Sequence, residues 1–168
     1  MEIIGNNSSN NNDQRRKKIK HTYRISNDFT SNKTSKSSGC LIIQDNKIVF
    51  IWSPFNFHNV WCTGKFSVPD GLAEPGSLAW ETAAKETLEE TGIAVEILDE
   101  INDFGDFILF LAKPINKIEQ SHIDNFYKKY EISKITLTEP QNMPIAKARF
   151  KKQHEFIMEW YNKNYKIK

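Results

Sequence analysis

Apolar positions along this chain fall into short runs whose period switches between two and about 3.6. Cys40–Ile43 and Ile48–Trp52 are apolar runs separated by Gln44-Asp45-Asn46-Lys47, a pattern that predicts a β-hairpin. Ala79, Ala83, Ala84 and Leu88 recur between charged residues and predict a helix of good helix formers. Ile93–Leu98 reads as a strand and Asn102–Asp106 as a turn. Phe107–Ala112 is continuously apolar and is ended by Lys113-Pro114, which predicts a strand buried on both faces. Ser121–Tyr130 suits a short helix, with Ser121 as its cap and Ile123, Phe126 and Tyr127 as its apolar side. Glu131–Thr138 alternates as a strand. Met143–Tyr161 predicts a closing amphipathic helix striped by Ala146, Phe150, Ile157 and Tyr161, with Phe156 and Trp160 alongside.

The first 38 residues lack such a pattern. Asn6–Asn12 is nearly all Asn and Ser and has nothing to bury. The basic run Arg15-Arg16-Lys17-Lys18-Ile19-Lys20 reads as an RNA-binding arm, a nuclear address, or a solvated charge run. Tyr23–Ile25 begins a short strand, and Asn27–Ser38 is again polar. Order is therefore expected from Gly39 to Lys163, with residues 1–38 as a largely disordered basic tail and linker and 164–168 as a second tail. Charge follows this division. Residues 1–37 carry eight Lys/Arg and three Asp/Glu, while the remainder carries fifteen and eighteen. The basic character belongs to the tail.

At 168 residues one domain can bury a sizeable core. No apolar run reaches the length of a membrane span, and the N-terminus has no apolar signal core. Cys40 and Cys62 form no Cys-x-x-Cys pair, and four scattered histidines have no zinc spacing. Two free thiols in a reducing compartment are expected, which places the chain in the cytoplasm, or in the nucleus if the basic run is an address.

The informative stretch is Gly71–Ile93. A loop punctuated by Pro75 and Gly76 leads into the predicted helix, and Gly92 supplies the cap at its end. Ser77, just before Leu78, is placed to cap the helix N-terminus. Glu86, Glu89 and Glu90 stand at i, i+3 and i+4, so their carboxylates share one side of the last turn. The helix dipole disfavours negative charge there, and each like-charge pair costs about 0.2–0.5 kcal/mol. A hard cation would remove that cost, and Mg²⁺ suits carboxylate and phosphate oxygens. The alternative is a solvated Glu/Lys helix, with Glu81–Lys85 and Lys85–Glu89 as ordinary i,i+4 pairs.

The stretch resembles the Nudix box, Gly-x5-Glu-x7-Arg-Glu-U-x-Glu-Glu-x-Gly-U, with U a bulky aliphatic residue. Gly71, Glu86, Glu89, Glu90, Gly92 and Ile93 fall on pattern positions. Ser77 stands where the pattern has its first Glu, Lys85 where it has Arg, and Thr87 where it has an aliphatic residue. Lys65-Phe66-Ser67-Val68-Pro69-Asp70-Gly71 is similar to the family's Trp-x-Leu-Pro-Gly-Gly lead-in, with Asp70 in the place of a glycine. The opening hairpin ends in Trp52-Ser53-Pro54, where family members usually carry basic residues.

The resemblance implies an α/β/α sandwich with a mixed β-sheet. It implies hydrolysis of the diphosphate linkage in a nucleoside diphosphate derivative such as a nucleotide sugar, a dinucleotide or an RNA cap. It further implies Mg²⁺, or Mn²⁺ in its place, held by Glu86, Glu89 and Glu90, with the backbone carbonyl at Asp70, a place whose carbonyl often binds metal in the family, as a further candidate ligand; the Asp70 carboxylate is a second candidate donor at the same residue. Glu86 and Glu89, and Glu131 outside the box, are the candidate catalytic acids, with Glu89 or Glu131 as the base. The aromatic stretch Phe55–Trp61 offers either base stacking or loop packing. Phe57, Trp61 and Phe66 are the candidate substrate-binding residues. RNA would find a second contact in the basic tail. Because Ser77 and Lys85 cannot form a bidentate carboxylate–guanidinium pair, a looser loop is expected. A Nudix-fold nucleotide- or RNA-binding module with weak or no catalysis is the alternative.

Overall fold

The computed structural model describes residues 22–54, 64–126 and 132–165. The basic run Arg15–Lys20, the aromatic stretch Phe55–Trp61 with Phe57 and Trp61, Cys62, Tyr127–Tyr130 and Glu131 lie outside the described residues.

Strand β2 (Ser37–Gln44) organises the sheet, because it is bonded along both edges and buried on both faces. One edge pairs in parallel with β7 (Phe107–Pro114), Ser37 opposite Phe107 through Ile42 opposite Ala112. Its other edge pairs antiparallel with β5 (Asp70–Leu72), Gly39 opposite Asp70, and then with β3 (Lys47–Trp52). Strand β6 (Val95–Asp103) flanks β7, and β1 (Arg24–Ile25) adds in parallel to β6. Strands β4 (Phe66–Ser67) and β8 (Lys134–Thr138) both pair with β3. Among the described residues the result is an eight-stranded mixed sheet.

Alternation along β2 and β7 divides the core in two. Cys40, Ile42, Ile108, Phe110 and Ala112 face helix α1 (Ala79–Thr91), where Ala79, Ala83 and Ala84 meet them. Leu41 and Leu109 face the other way, with Phe50, Phe66 and Val68, towards helix α3 (Lys151–Asn164) and its Ile157 and Tyr161. Helices on both faces make the α/β/α sandwich that the sequence implied, and the continuously apolar Phe107 run is its doubly covered strand. The β2–β3 hairpin turns through Asp45 and Asn46, both at positive φ (51° and 60°), as a two-residue turn of the type that matches strand twist.

Four expectations are corrected. Order does not begin at Gly39. Phe29 packs on the core, the Lys33 carbonyl accepts the Ala79 N–H at 2.9 Å, and the Lys36 carbonyl accepts the Ala73 N–H at 3.0 Å. These bonds pin a polar segment with little apolar content of its own. The closing helix starts at Lys151, because Met143–Phe150 contains only a 3-10 turn at Ile145–Lys147. The Arg149 N–H goes to the Phe66 carbonyl at 2.8 Å and Ala148 bridges Phe66, so tertiary pairing overrides the helical spacing. Ala146 and Phe150 are exposed there, and the buried side of α3 is His154, Ile157 and Tyr161. Strand β8 starts at Lys134, three residues after Glu131. Helix α2 is shorter than expected, Gln120–Asp124, with Glu119 in place of Ser121 at its cap position.

Candidate active site

The box folds as the loop between β5 and α1. Glu74–Ser77 is a β-turn with Pro75 in its second position and Gly76 (φ +82°) in its third, closed by the Ser77 N–H on the Glu74 carbonyl at 3.1 Å. Because Ser77 closes this turn, it is not the helix cap; Leu78 is, without a side-chain bond. At the other end Gly92 adopts φ +72° and returns its N–H to the Leu88 carbonyl at 2.9 Å. His122 sits against that end, a ring nitrogen 2.7 Å from the Thr91 carbonyl.

The loop is tied to the helix by a different pair from the pattern's. Lys85 Nζ lies 2.9 Å from Glu74 Oε1 and 3.8 Å from Glu89 Oε1. Glu74 thus does from the turn what a Glu at position 77 would have done, and the expected looser loop acquires a substitute tie. With Glu74 70% exposed, the pair contributes at most about 1 kcal/mol. Thr87, in the aliphatic position, is wholly buried and satisfies its hydroxyl on the Ala83 carbonyl at 2.8 Å. It also hydrogen-bonds the Cys40 thiol, whose pKa burial pushes up to about 12, so that thiol is inert.

The three box carboxylates occupy different environments. Glu89 is exposed, Glu86 is half-buried and Glu90 is 8% exposed. Glu86 lies directly over the backbone of Gly71: a Cβ built there would be 2.2 Å from its Cγ and 2.6 Å from Oε2. Gly71 is therefore glycine because the carboxylate of α1 fills the place of its side chain.

Asp70 points to the other face. Its Cβ lies beside Gly39, whose own Cβ would also meet the Phe107 ring. There Asp70 Oδ1 faces Arg149 Nη1 at 3.7 Å, and Oδ2 is buried without a hydrogen-bond partner among the described residues. Successive strand residues point to opposite sides, so the sheet separates the Asp70 carboxylate from Glu86. The structure does not bring it to the other box acids. Phe66 likewise has no open face: it is 1% exposed and packs edge-on against Phe50 and His154 and beside Trp52. Its ring is core and not a stacking surface. Sequence reasoning missed Arg149, whose partner lies far away in the chain. The only signal was a charged residue, Asp70, in a glycine place.

Among the described residues no three His, Cys, Asp or Glu side chains already close on one point. The donor set nevertheless fits a hard divalent ion: three carboxylates on one helical turn, one of them seated on the loop backbone at Gly71.

The sequence matches the family model described as NUDIX domain over residues 33–161. The chain belongs to the Nudix family. Among solved structures, a NUDIX hydrolase from Nitrosomonas europaea is similar at 22% identity and TM-score 0.60, covering 80% of this chain and 74% of that one. An ADP-ribose pyrophosphatase from Streptococcus suis is similar at 17% identity and TM-score 0.54, covering 74% and 89%. A C. elegans Ap4A hydrolase is similar at 17% identity and TM-score 0.55, covering 74% and 95%. At these identities the likeness is one of fold. No curated protein matches the chain. The described residues of this Nudix domain contain no helix long and apolar enough to cross a membrane.

The Asp70 environment makes a stability prediction. Burial pushes its pKa from 3.8 up to about 6, against the opposing pull of Arg149. A raised carboxyl pKa means that the unfolded state gives up this proton first. The contribution of Asp70 to stability is complete below its unfolded value of 3.8, falls as pH rises towards 6, and above that is lower by about 3 kcal/mol. Asp70→Asn should therefore raise the melting temperature at pH 7.5 and leave it unchanged near pH 4. Equal effects at both pH values would show that the burial penalty is absent.

Proposed function

We propose that this Nudix domain hydrolyses the diphosphate linkage of a nucleoside diphosphate derivative, with a divalent cation held by Glu86, Glu89 and Glu90. The observation that carries the reading is the seating of Glu86 on Gly71, with Glu90 buried and Glu89 exposed on the same turn. Three acids crowd a helix end whose dipole opposes negative charge, at about 0.2–0.5 kcal/mol for each close pair, and a bound cation would remove that cost. Their graded burial suits separate tasks. Glu86 and Glu90, restrained by packing, would be ligands. Glu89, exposed and within 3.8 Å of Lys85, would complete the ligand set from the open side and also orient or accept the proton of an attacking water. Mg²⁺ or Mn²⁺, when bound, would offset the negative charge of the diphosphate oxygens.

Lys85 would keep the helix and the loop in register through Glu74, so that Glu86 stays over Gly71. Glu131 remains a candidate second base, outside the described residues. The named ADP-ribose and Ap4A enzymes among the structural relatives support a diphosphate-containing nucleotide as the substrate class.

Turnover of a panel of nucleotide sugars, dinucleotides and capped RNA, with and without Mg²⁺, tests the reading. Metal-dependent product formation is expected, and Glu89→Gln with Glu90→Gln should lower it by about 10²-fold or more. Tight nucleotide binding without turnover would favour the binding module instead. Gly71→Ala gives a second check. The added Cβ must displace Glu86, so Mg²⁺ affinity by isothermal titration should fall by about 10–100-fold with the far-ultraviolet circular dichroism spectrum retained. Unchanged affinity would remove Glu86 from the ligand set.

A further inference from the structure

The last turn of α1 is held by hydrogen bonds that the proposed hydrolysis does not use. The final carbonyls of a helix have no partner within it. Thr91, wholly buried, donates its hydroxyl to the Thr87 carbonyl at 2.6 Å and accepts the Ile93 N–H at 3.1 Å. Its own carbonyl is buried with it and faces Nε2 of His122 at 2.7 Å. A carbonyl can only accept, so that nitrogen carries a proton. The ring lies over Gly92, where a Cβ would be 3.3 Å from its Cε1, so the capping glycine also leaves room for the imidazole. His122 is itself fixed from the sheet. Gln44, at the end of β2, accepts the Ile118 N–H at 2.7 Å and donates to the Ile118 carbonyl at 3.0 Å, and α2 begins at Gln120. Beside the ring a cavity of about 260 Å³, bordered by Ala94, Lys117 and Glu119, opens to solvent.

We propose that His122 is a positioning residue for the box carboxylates. Its bond to Thr91 anchors the residue next to Glu90 and so fixes the backbone from which Glu89 and Glu90 project. Without the donor, the Thr91 carbonyl would be buried and unsatisfied, and a helix end escapes that state by fraying towards solvent. Fraying would start at Thr91 and reach Glu90 and Glu89 next. A group that orients metal ligands from behind acts in this way, and its loss typically costs about 10–100-fold in metal affinity. The role towards a cation rests on the proposed hydrolysis. The hold on the turn is measured without metal, so each can fail alone.

The test compares three variants of the full-length chain. His122→Phe keeps a ring beside Phe126, whose centroid is 6.2 Å away, and removes the donor. It should lower Mg²⁺ affinity by isothermal titration about tenfold. The Mg²⁺ concentration for half-maximal turnover should rise by the same factor, with kcat at saturating Mg²⁺ within about twofold of the unsubstituted chain. His122→Gln, which keeps an N–H donor, should retain most of the affinity. His122→Ala should lose affinity and regain it when imidazole, which the open cavity admits, is added. In EDTA, amides of Leu88–Ile93 should exchange faster in the Phe and Ala variants, while those of Ala83 and Ala84 keep their protection. Undiminished Mg²⁺ affinity in the Phe variant would overturn the proposal, as would a Gln variant no better than the Phe variant, or unchanged exchange at Leu88–Ile93. An unsubstituted chain that binds no Mg²⁺ would instead defeat the proposed function, and the exchange comparison would then decide the role of His122 by itself.

Discussion

The close approach of α1 to β2 is the constraint on which the site depends. Ala79, Ala83 and Ala84 present only methyl groups to Cys40 and Ile42, and the Ser38 hydroxyl donates to the Ala79 carbonyl at 2.7 Å. A helix held this near the sheet has no room for a side chain on the facing loop strand. Gly71 meets that condition, and Glu86 fills the vacated space. The same packing buries Glu90 and leaves Glu89 outside. The carboxylates are thus placed by the fit of small residues, and the helix end accepts a charge density that neither its dipole nor its neighbours favour.

A second economy lies in the loop. The family pattern joins loop and helix through a Glu and an Arg. This chain has Ser77 and Lys85 at those places, and joins them through Glu74 and Lys85. The exposed ion pair adds little stability, but it acts between segments already fixed by the Pro75-Gly76 turn and by the Ala73 and Ala79 backbone bonds to Lys36 and Lys33. The segment before β2, polar in sequence, is therefore structural support for the box. Its ties to the box, at Lys33 and Lys36, come from backbone groups and are invisible to hydrophobic patterning.

What could be read from the sequence follows the same logic. The β2–β3 hairpin, the doubly buried β7 and the glycine-capped α1 were legible because period, burial and cap chemistry agree in each. The helix expected from Met143 was not, because its first turns are spent on Phe66 through the Ala148 bridge and the Arg149 N–H. Ser77 suited a cap by type, yet its N–H closes the preceding turn. In the candidate site, the three glutamates were visible from spacing and Gly71 from the resemblance to the family pattern. The face to which Asp70 points was not, since alternation in a three-residue strand gives no register without its partner Gly39. The Lys85–Glu74 exchange was equally hidden, because it depends on how the loop folds back.

The most direct test of a cation site on α1 is anomalous diffraction from crystals of the full chain soaked in Mn²⁺. A peak within coordination distance of the Glu86 and Glu90 carboxylates, on the α1 face of Gly71, is the predicted result. No peak at saturating Mn²⁺, or a peak only at Asp70 on the opposite face, would contradict it and leave the three glutamates without the role proposed for them.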